Sequence, residues 1–349
     1  MYNIYVITAV TSIFLAVITL IGTKKNWNTF DANGYLSKVQ TNWLRGIGAV
    51  AIVLSHYYPA IKITEVGMLW QLSGIGIWGV AIFLLLSGYG AMYSKINKAD
   101  YLKGYLYKRA VRLYVPFLML FIIDIALLFI LKQQFFWKDL IRAPLLSLHG
   151  TLNWYLKVQL GLYIVFYICA KLIKNDNKLI ITLFVLCFIY MIIGYITKIN
   201  NYWYESSYMF PLGMLIAKYK DKIYEKLNKK YAITIIASIL IMLIFYAPYY
   251  LFGGAIFEIL AIFGTIQFTL CVCVKTYGDS KFTALLGTLS LEIYLSHTVL
   301  GHVHGYIDYK NSVASFLTYM AFTIILSYAI NKLSNLIINK RRTKNAKTH

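Results

Sequence analysis

The sequence predicts an all-α fold: a polytopic membrane helix bundle of about eleven transmembrane helices with a cytoplasmic C-terminus. Three observations lead there. The 349 residues are 60% hydrophobic and only 13% charged, against about 45–50% apolar and about 25% charged in soluble domains. The apolar residues fall in runs of roughly 17–25, the length that crosses a 30 Å hydrocarbon core at 1.5 Å per residue. The short connections between these runs alternate in charge.

In chain order the expected spans are approximately Asn3–Gly22, Asn42–Ile61, Leu72–Tyr93, Leu113–Leu131, Asn153–Ile173, Leu179–Thr197, Tyr202–Ala217, Ala232–Leu251, Ala255–Val274, Ala284–Gly305 and Val313–Ile338. The first has no basic stretch before it; Lys24 and Lys25 follow it. It therefore reads as an uncleaved helix rather than a signal peptide. The second and third are rich in Gly and Ser, the small residues that let membrane helices pack closely. The seventh is the shortest and holds Pro211 and Gly213.

The net charge is +21, from 34 Lys and Arg against 13 Asp and Glu. In a soluble chain that would suggest nucleic acid. Here the surface for a nucleic-acid groove is missing, and the charge orients the bundle instead. One alternating set of connections (23–41, 94–112, 174–178 with Lys171, 218–231, 275–283, 332–349) carries +20, and the other (62–71, 132–152, 198–205, 248–254, 306–312) carries +2. The positive-inside rule places the first set in the cytoplasm. The N-terminus is then outside.

Cys169, Cys187, Cys271 and Cys273 all lie within spans and lack CxxC spacing, so they read as buried packing residues. With no internal repeat or soluble appendage, residues 1–349 form a single membrane domain. Residues 1–41 are an extra helix and cytoplasmic loop, 42–338 the core, and 339–349 a basic cytoplasmic tail.

Ionisable residues inside spans are costly and are functional candidates by default. They are Arg45, His56, Asp124, Lys157, Glu258, Glu292 and His297. Arg45 and His56 are eleven residues apart, about three helical turns plus 20°, so they share a face at opposite depths, about 16 Å apart. Taken alone, Arg45 also reads as a snorkelling anchor and His56 as an interhelical hydrogen-bonding group. His56, His297, Asp124 and Glu258 fall in one outer layer, where an acid–base pair can be assembled. Glu292 lies five residues before His297, about 140° around the helix. His302 and His304 diverge by about 200°, so no metal site is expected.

One cytoplasmic connection differs in kind: YSKINKADYLKGYLYKRAVRLYVP, residues 93–116. Arg109 and Arg112 are three apart and so neighbours on one helix side. The chain has 28 Lys but only six Arg. Two arginines side by side in a lysine-anchored chain point to a geometric requirement, such as a guanidinium fork for phosphate.

With these residues in place, the sequence resembles the acyltransferase-three family of integral-membrane O-acyltransferases, which modify bacterial polysaccharides and other envelope glycans. The matching stretches are LRGIGAVAIVLSHYYP with Arg45 and His56, WGVAIFLLLSGYG, YLYKRAVRLYVPF with Arg109 and Arg112, NWYL around Trp154, and LGTLSLEIYLSHTVL ending near His297. They occur in the family's order between residues 43 and 299. The family usually has ten spans, so Asn3–Gly22 is an added helix. Glu292 stands where the family pattern has an aromatic.

The resemblance implies an O-acyltransferase, or O-acetyltransferase, of the bacterial cytoplasmic membrane. Cytoplasmic acyl-CoA, acetyl-CoA in the simplest case, would be the donor. The acceptor would be a hydroxyl of an extracytoplasmic glycan such as exopolysaccharide or capsule, or a lipid-linked saccharide. By the same resemblance Arg109 and Arg112 would hold the coenzyme A phosphates and Arg45 would orient the donor. His56 would be catalytic, as a base or as a transient acyl carrier. Trp154, Glu292 and His297 would support the site, with no metal and no nucleic acid involved. A different class, an exporter of polysaccharide or lipid-linked intermediates, fits eleven aromatic-rich helices but would show two related halves. A membrane polymerase or glycosyltransferase would typically show larger outer loops.

Overall fold

The computed structural model describes residues 4–20, 22–25, 33–60, 74–132, 154–304 and 312–347. Among these are thirteen α-helices: α1 Ile4–Leu20, α2 Lys38–Ala60, α3 Ile75–Asn97, α4 Tyr105–Ile130, α5 Trp154–Leu172, α6 Asp176–Ile196, α7 Met209–Lys218, α8 Lys220–Lys229, α9 Tyr231–Phe252, α10 Ala255–Val272, α11 Lys281–Thr288, α12 Ser290–His304 and α13 Ser312–Lys347. A 3₁₀ turn, Asn201–Trp203, precedes α7. Residues 61–73, 133–153 and 305–311, which hold nearly all of the connections expected at 62–71, 132–152 and 306–312, lie outside the described residues, as do the side chains of His302 and His304.

Among the described residues, seven helices, α3, α4, α5, α6, α9, α10 and residues Ala314–Lys340 of α13, are long and apolar enough to cross a bilayer. The chain is thus an all-α, multi-pass membrane bundle. Its core is α2, apolar on every side through its middle: Ala49 to Leu54 are all fully buried, as expected of a helix surrounded by others. At the periphery, α9 exposes Ile233, Ile236, Leu240, Leu243 and Ile244, a face suited to lipid.

Two expected spans differ. The segment 202–217 is not one helix but a 3₁₀ turn, an irregular stretch and the ten-residue α7. Ten residues rise only about 15 Å, half the hydrocarbon thickness. Pro211 falls in the first turn of α7, where a missing N–H costs little, so the helix starts there. The irregular stretch is enclosed, with Tyr204, Glu205, Ser206 and Ser207 all buried, the condition under which non-helical backbone is tolerated at membrane depth. Gly88 of α3 and Gly213 of α7 allow the two helices to touch backbone to backbone: a Cβ on Gly213 would collide with the Leu85 carbonyl, and one on Gly88 with that of Phe210.

The span expected at 284–305 is likewise split, at Leu289, into α11 and α12. Ser280 caps α11 by accepting from the Thr283 N–H at 3.1 Å. Gly287 lies against the backbone of Asn42 in α2. At the chain's end, α13 continues to Lys347, so most of the tail expected at 339–349 is helical.

Connections from the basic set meet at one end of the bundle. Thr23–Lys25 (β1) pairs antiparallel with Thr276–Gly278 (β2), Lys24 opposite Tyr277. Lys95 pairs with Asp176 at 2.6 Å. Asn177 Oδ1 accepts from Lys218 Nζ at 2.6 Å and from the Tyr219 hydroxyl at 2.7 Å. At the other end, Asn201 reaches Glu258 at 3.4 Å. This grouping is what an alternating membrane topology requires.

Candidate functional site: an arginine cavity and a histidine pair joined by one helix

The start of α2 is pinned by Gln40. Its Oε1 accepts from the Leu36 N–H at 2.6 Å, and its Nε2 donates to the carbonyls of Cys273 at 2.7 Å and Thr276 at 2.6 Å. From this anchor α2 carries Arg45 near the basic end and His56 near the other, on one uninterrupted helix.

Arg45, Arg109, Arg112 and Glu292 all line a single cavity of about 580 Å³ at the basic end. Lys38, Ser87, Gln159 and Tyr163 also face it. Arg109 is held in an aromatic box: its Nη2 donates to the Tyr101 hydroxyl at 2.9 Å, and its guanidinium carbon lies 5.4 Å from the Tyr105 ring centre and 5.0 Å from that of Tyr163. Such contacts fix a planar cation in a way a lysine would not reproduce. Among the described residues, none of the three arginines forms an ion pair with a carboxylate. Glu292 is instead engaged by Asn331, whose Nδ2 donates to Oε1 at 2.9 Å. Three arginines and Lys38 against the single carboxylate of Glu292 leave the cavity with an excess of positive charge, in a site of the size that takes small-molecule ligands.

At the other depth His56 and His297 meet. Their ring centres are 5.0 Å apart, and His56 Nδ1 lies 3.3 Å from His297 Nε2. The hydrogen bonds assign the tautomers. His56 Nδ1 lies 2.9 Å from the Ile52 carbonyl and His297 Nδ1 lies 3.2 Å from that of Ile293. Carbonyls only accept, so both Nδ1 atoms carry the proton. His297 Nε2 is then bare and accepts a second branch of the His56 N–H. His56 Nε2 keeps its lone pair and has no hydrogen-bond partner among the described residues. His297 is 1% exposed, whereas His56 is partly open. One ring is presented and the other supports it from behind. α13 holds both helices: Tyr57 donates to Ser315 at 2.9 Å and Tyr319 to the His297 carbonyl at 2.9 Å.

Trp154 and Glu292 occupy different places. Trp154 opens α5 away from the arginine cavity, its ring 5.2 Å from that of Tyr202 and 6.4 Å from that of Tyr155. Tyr155 touches Tyr294 at 5.1 Å, and Tyr294 touches His297 at 5.7 Å. A continuous run of rings thus leads from Tyr202 to His56. Glu292 lines the arginine cavity and His297 faces His56, as their 140° separation on α12 implies.

The outer layer of carboxylates is only partly as expected. Asp124 is buried in α4, and Glu258 is hydrogen-bonded side chain to side chain with Glu205. Glu205 escaped the sequence reading because it sits in what looked like the flank of a short span; a lone acid beside an apolar run was the available signal. Tyr101, Tyr105 and Tyr163, which fix Arg109, were also missed, because 31 tyrosines give no single one any prominence. Among the described residues, no three of His, Cys, Asp and Glu are grouped to hold a metal.

The family model described as an acyltransferase domain matches residues 38–332, from the first residue of α2 into α13. It takes in Arg45, His56, Arg109, Arg112, Glu292 and His297. No curated protein and no solved structure matches the chain. The chain belongs to the acyltransferase-three family and is a multi-pass membrane acyltransferase.

Proposed function

We propose that the protein moves an acyl group, acetyl in the simplest case, from cytoplasmic acyl-CoA to a hydroxyl of an extracytoplasmic glycan such as exopolysaccharide or capsule, at the bacterial cytoplasmic membrane. The observation that carries this reading is the division of labour along α2. A cavity lined by three arginines, Lys38 and a single carboxylate, Glu292, lies at the basic end. A histidine with a bare, accessible nitrogen lies about 16 Å further along the same helix. The first suits a phosphorylated donor held next to water, and the second suits proton transfer.

In this scheme Arg109 and Arg112 bind the phosphates of the donor and Arg45 orients it. The pantetheine arm, thin and extended, carries the thioester toward His56. His56 Nε2 takes the proton of the acceptor hydroxyl. The oxygen attacks the thioester carbonyl, the C–O bond forms, the C–S bond breaks, and the departing thiolate takes the proton back from His56 Nε2. Alternatively Nε2 itself attacks the carbonyl and releases the thiolate; in a second step the hydroxyl takes the acyl group from Nε2, the C–N bond breaks, and the hydroxyl proton passes to the thiolate. In both routes His56 becomes transiently cationic, and the lone pair of His297 Nε2 stabilises that charge through the His56 Nδ1–H.

The test is the ester content of the envelope glycan, measured by NMR and mass spectrometry, in cells with the protein, without it, and with His56→Ala. Loss of one ester substituent in both altered strains is expected. A well-folded His56→Ala protein that restores full esterification would refute the assignment of His56.

A further inference from the structure

The end of the bundle that carries His56 holds a second polar cavity of about 640 Å³, and the scheme above gives it no task. Its walls include Glu205, Glu258, Asn201, Tyr202 and Tyr204. Three features mark it as built for a ligand. Glu205, only 2% exposed, leaves its Oε2 without a hydrogen-bond partner. Glu258, beside its contact with Glu205, is reached by Asn201 and by the Tyr249 hydroxyl at a long 3.4 Å each. Tyr202, on the cavity wall, is braced by the Trp154 ring at 5.2 Å and that of Trp203 at 6.3 Å. An unsatisfied buried carboxyl oxygen is expensive, and is retained where a partner arrives.

Carboxyl groups that accept hydroxyl hydrogen bonds, an amide that both donates and accepts, and a ring face that packs on C–H surface together match one class of compound: a saccharide. We propose that this cavity is a saccharide subsite, which Glu205 and Glu258 grip through hydroxyls and Tyr202 through a ring face. The ring run from Tyr202 through Trp154, Tyr155 and Tyr294 to His297 links it to the histidine pair. The subsite rests on the transferase reading in one respect: it would hold the acceptor glycan beyond the sugar being esterified.

The test uses the full-length protein in nanodiscs. The probe is envelope glycan from the native cells, stripped of esters with mild alkali and cut to oligosaccharides. Binding is read from tryptophan fluorescence, with Trp154 and Trp203 flanking the cavity, and transfer from radiolabelled acetyl-CoA. Wild-type protein is expected to bind the oligosaccharides, and Glu205→Gln, Glu258→Gln and Tyr202→Leu to bind at least tenfold more weakly with unchanged acetyl-CoA affinity. Tyr202→Phe, which keeps the ring face, should bind as wild type does. Because Tyr202 lies on the cavity wall, its pair of variants carries the test even if a carboxyl variant fails to fold. Unchanged oligosaccharide affinity in Tyr202→Leu and the Gln variants, or no binding by the wild type, overturns the subsite. Binding that depends on these residues without any acetyl transfer supports the subsite and refutes the transferase reading. Transfer with an unchanged acceptor KM in the variants does the reverse.

Discussion

His297 offers the sharpest test of the histidine pair, because it is expected to act only through His56. The substitution is His297→Phe, which keeps a ring of similar size against Tyr294 and avoids the cavity that alanine would leave. It removes the bare nitrogen that lies 3.3 Å from His56 Nδ1, while the bond from Nδ1 to the Ile52 carbonyl at 2.9 Å remains. In the proposed scheme the lost bond strengthens when His56 becomes cationic during transfer. A hydrogen bond to a charged group is worth roughly 1.5–3 kcal/mol, and at about 1.4 kcal/mol per factor of ten this predicts a kcat lowered by roughly 10- to 160-fold. Acyl-CoA binding, which the proposal places at the arginine cavity about 16 Å away, should be unaffected. The assay is acetyl transfer to de-esterified glycan by purified protein in nanodiscs, together with the double variant His56→Ala/His297→Phe. Since His297 works through His56, the double variant should be no slower than His56→Ala alone. A His297→Phe enzyme that retains more than half of wild-type kcat would refute the reasoning, as would a loss that persists in full on the His56→Ala background.

Two other outcomes follow from the geometry. Arg109→Lys keeps the charge but forfeits the planar contacts with Tyr105 and Tyr163 and the bond to Tyr101; acyl-CoA affinity should fall about tenfold with kcat at saturation unchanged, an effect of order 1.4 kcal/mol, and titration calorimetry would show it. Gly213→Leu drives a side chain into the backbone of α3 at Leu85; the expected result is loss of monodisperse protein on size exclusion, whereas the same change at Gly90, which faces open space, should leave assembly intact.

The bundle was legible because membrane burial imposes a length and a charge rule that act on every segment separately. Those rules fail where a segment is buried in protein rather than lipid. The stretch 202–217 looked like one short helical span because its residues are apolar, yet they are apolar to pack on α3, and the passage from Asn201 to Lys218 is shared between enclosed irregular backbone and the short α7. The break at Leu289 is invisible to hydropathy for a similar reason, since α11 is fitted to α2 through Gly287. In the site, residues that share a helix were placed correctly relative to each other. The Arg45–His56 spacing is a property of one helix, and so is the divergence of Glu292 from His297. What joins helices was not readable: the meeting of His56 with His297, the tyrosines around Arg109, and the pairing of Glu205 with Glu258 all depend on the packing of separate elements.

The N-terminal helix α1 precedes the family match, which begins at residue 38, and might be taken for an accessory that could be trimmed away. The β1–β2 ladder argues otherwise. It ties the segment after α1 to Thr276–Gly278, and the Asp279 N–H donates to the Gly22 carbonyl at 2.9 Å. β2 leads directly into α11, whose Gly287 and Thr288 form part of the arginine cavity wall. Cutting the chain at residue 38 would strip one edge from β2 and release the corner that sets where α11 begins. The damage would then surface as a slack arginine cavity on a bundle that still inserts, a lesion of that pocket rather than of membrane anchoring.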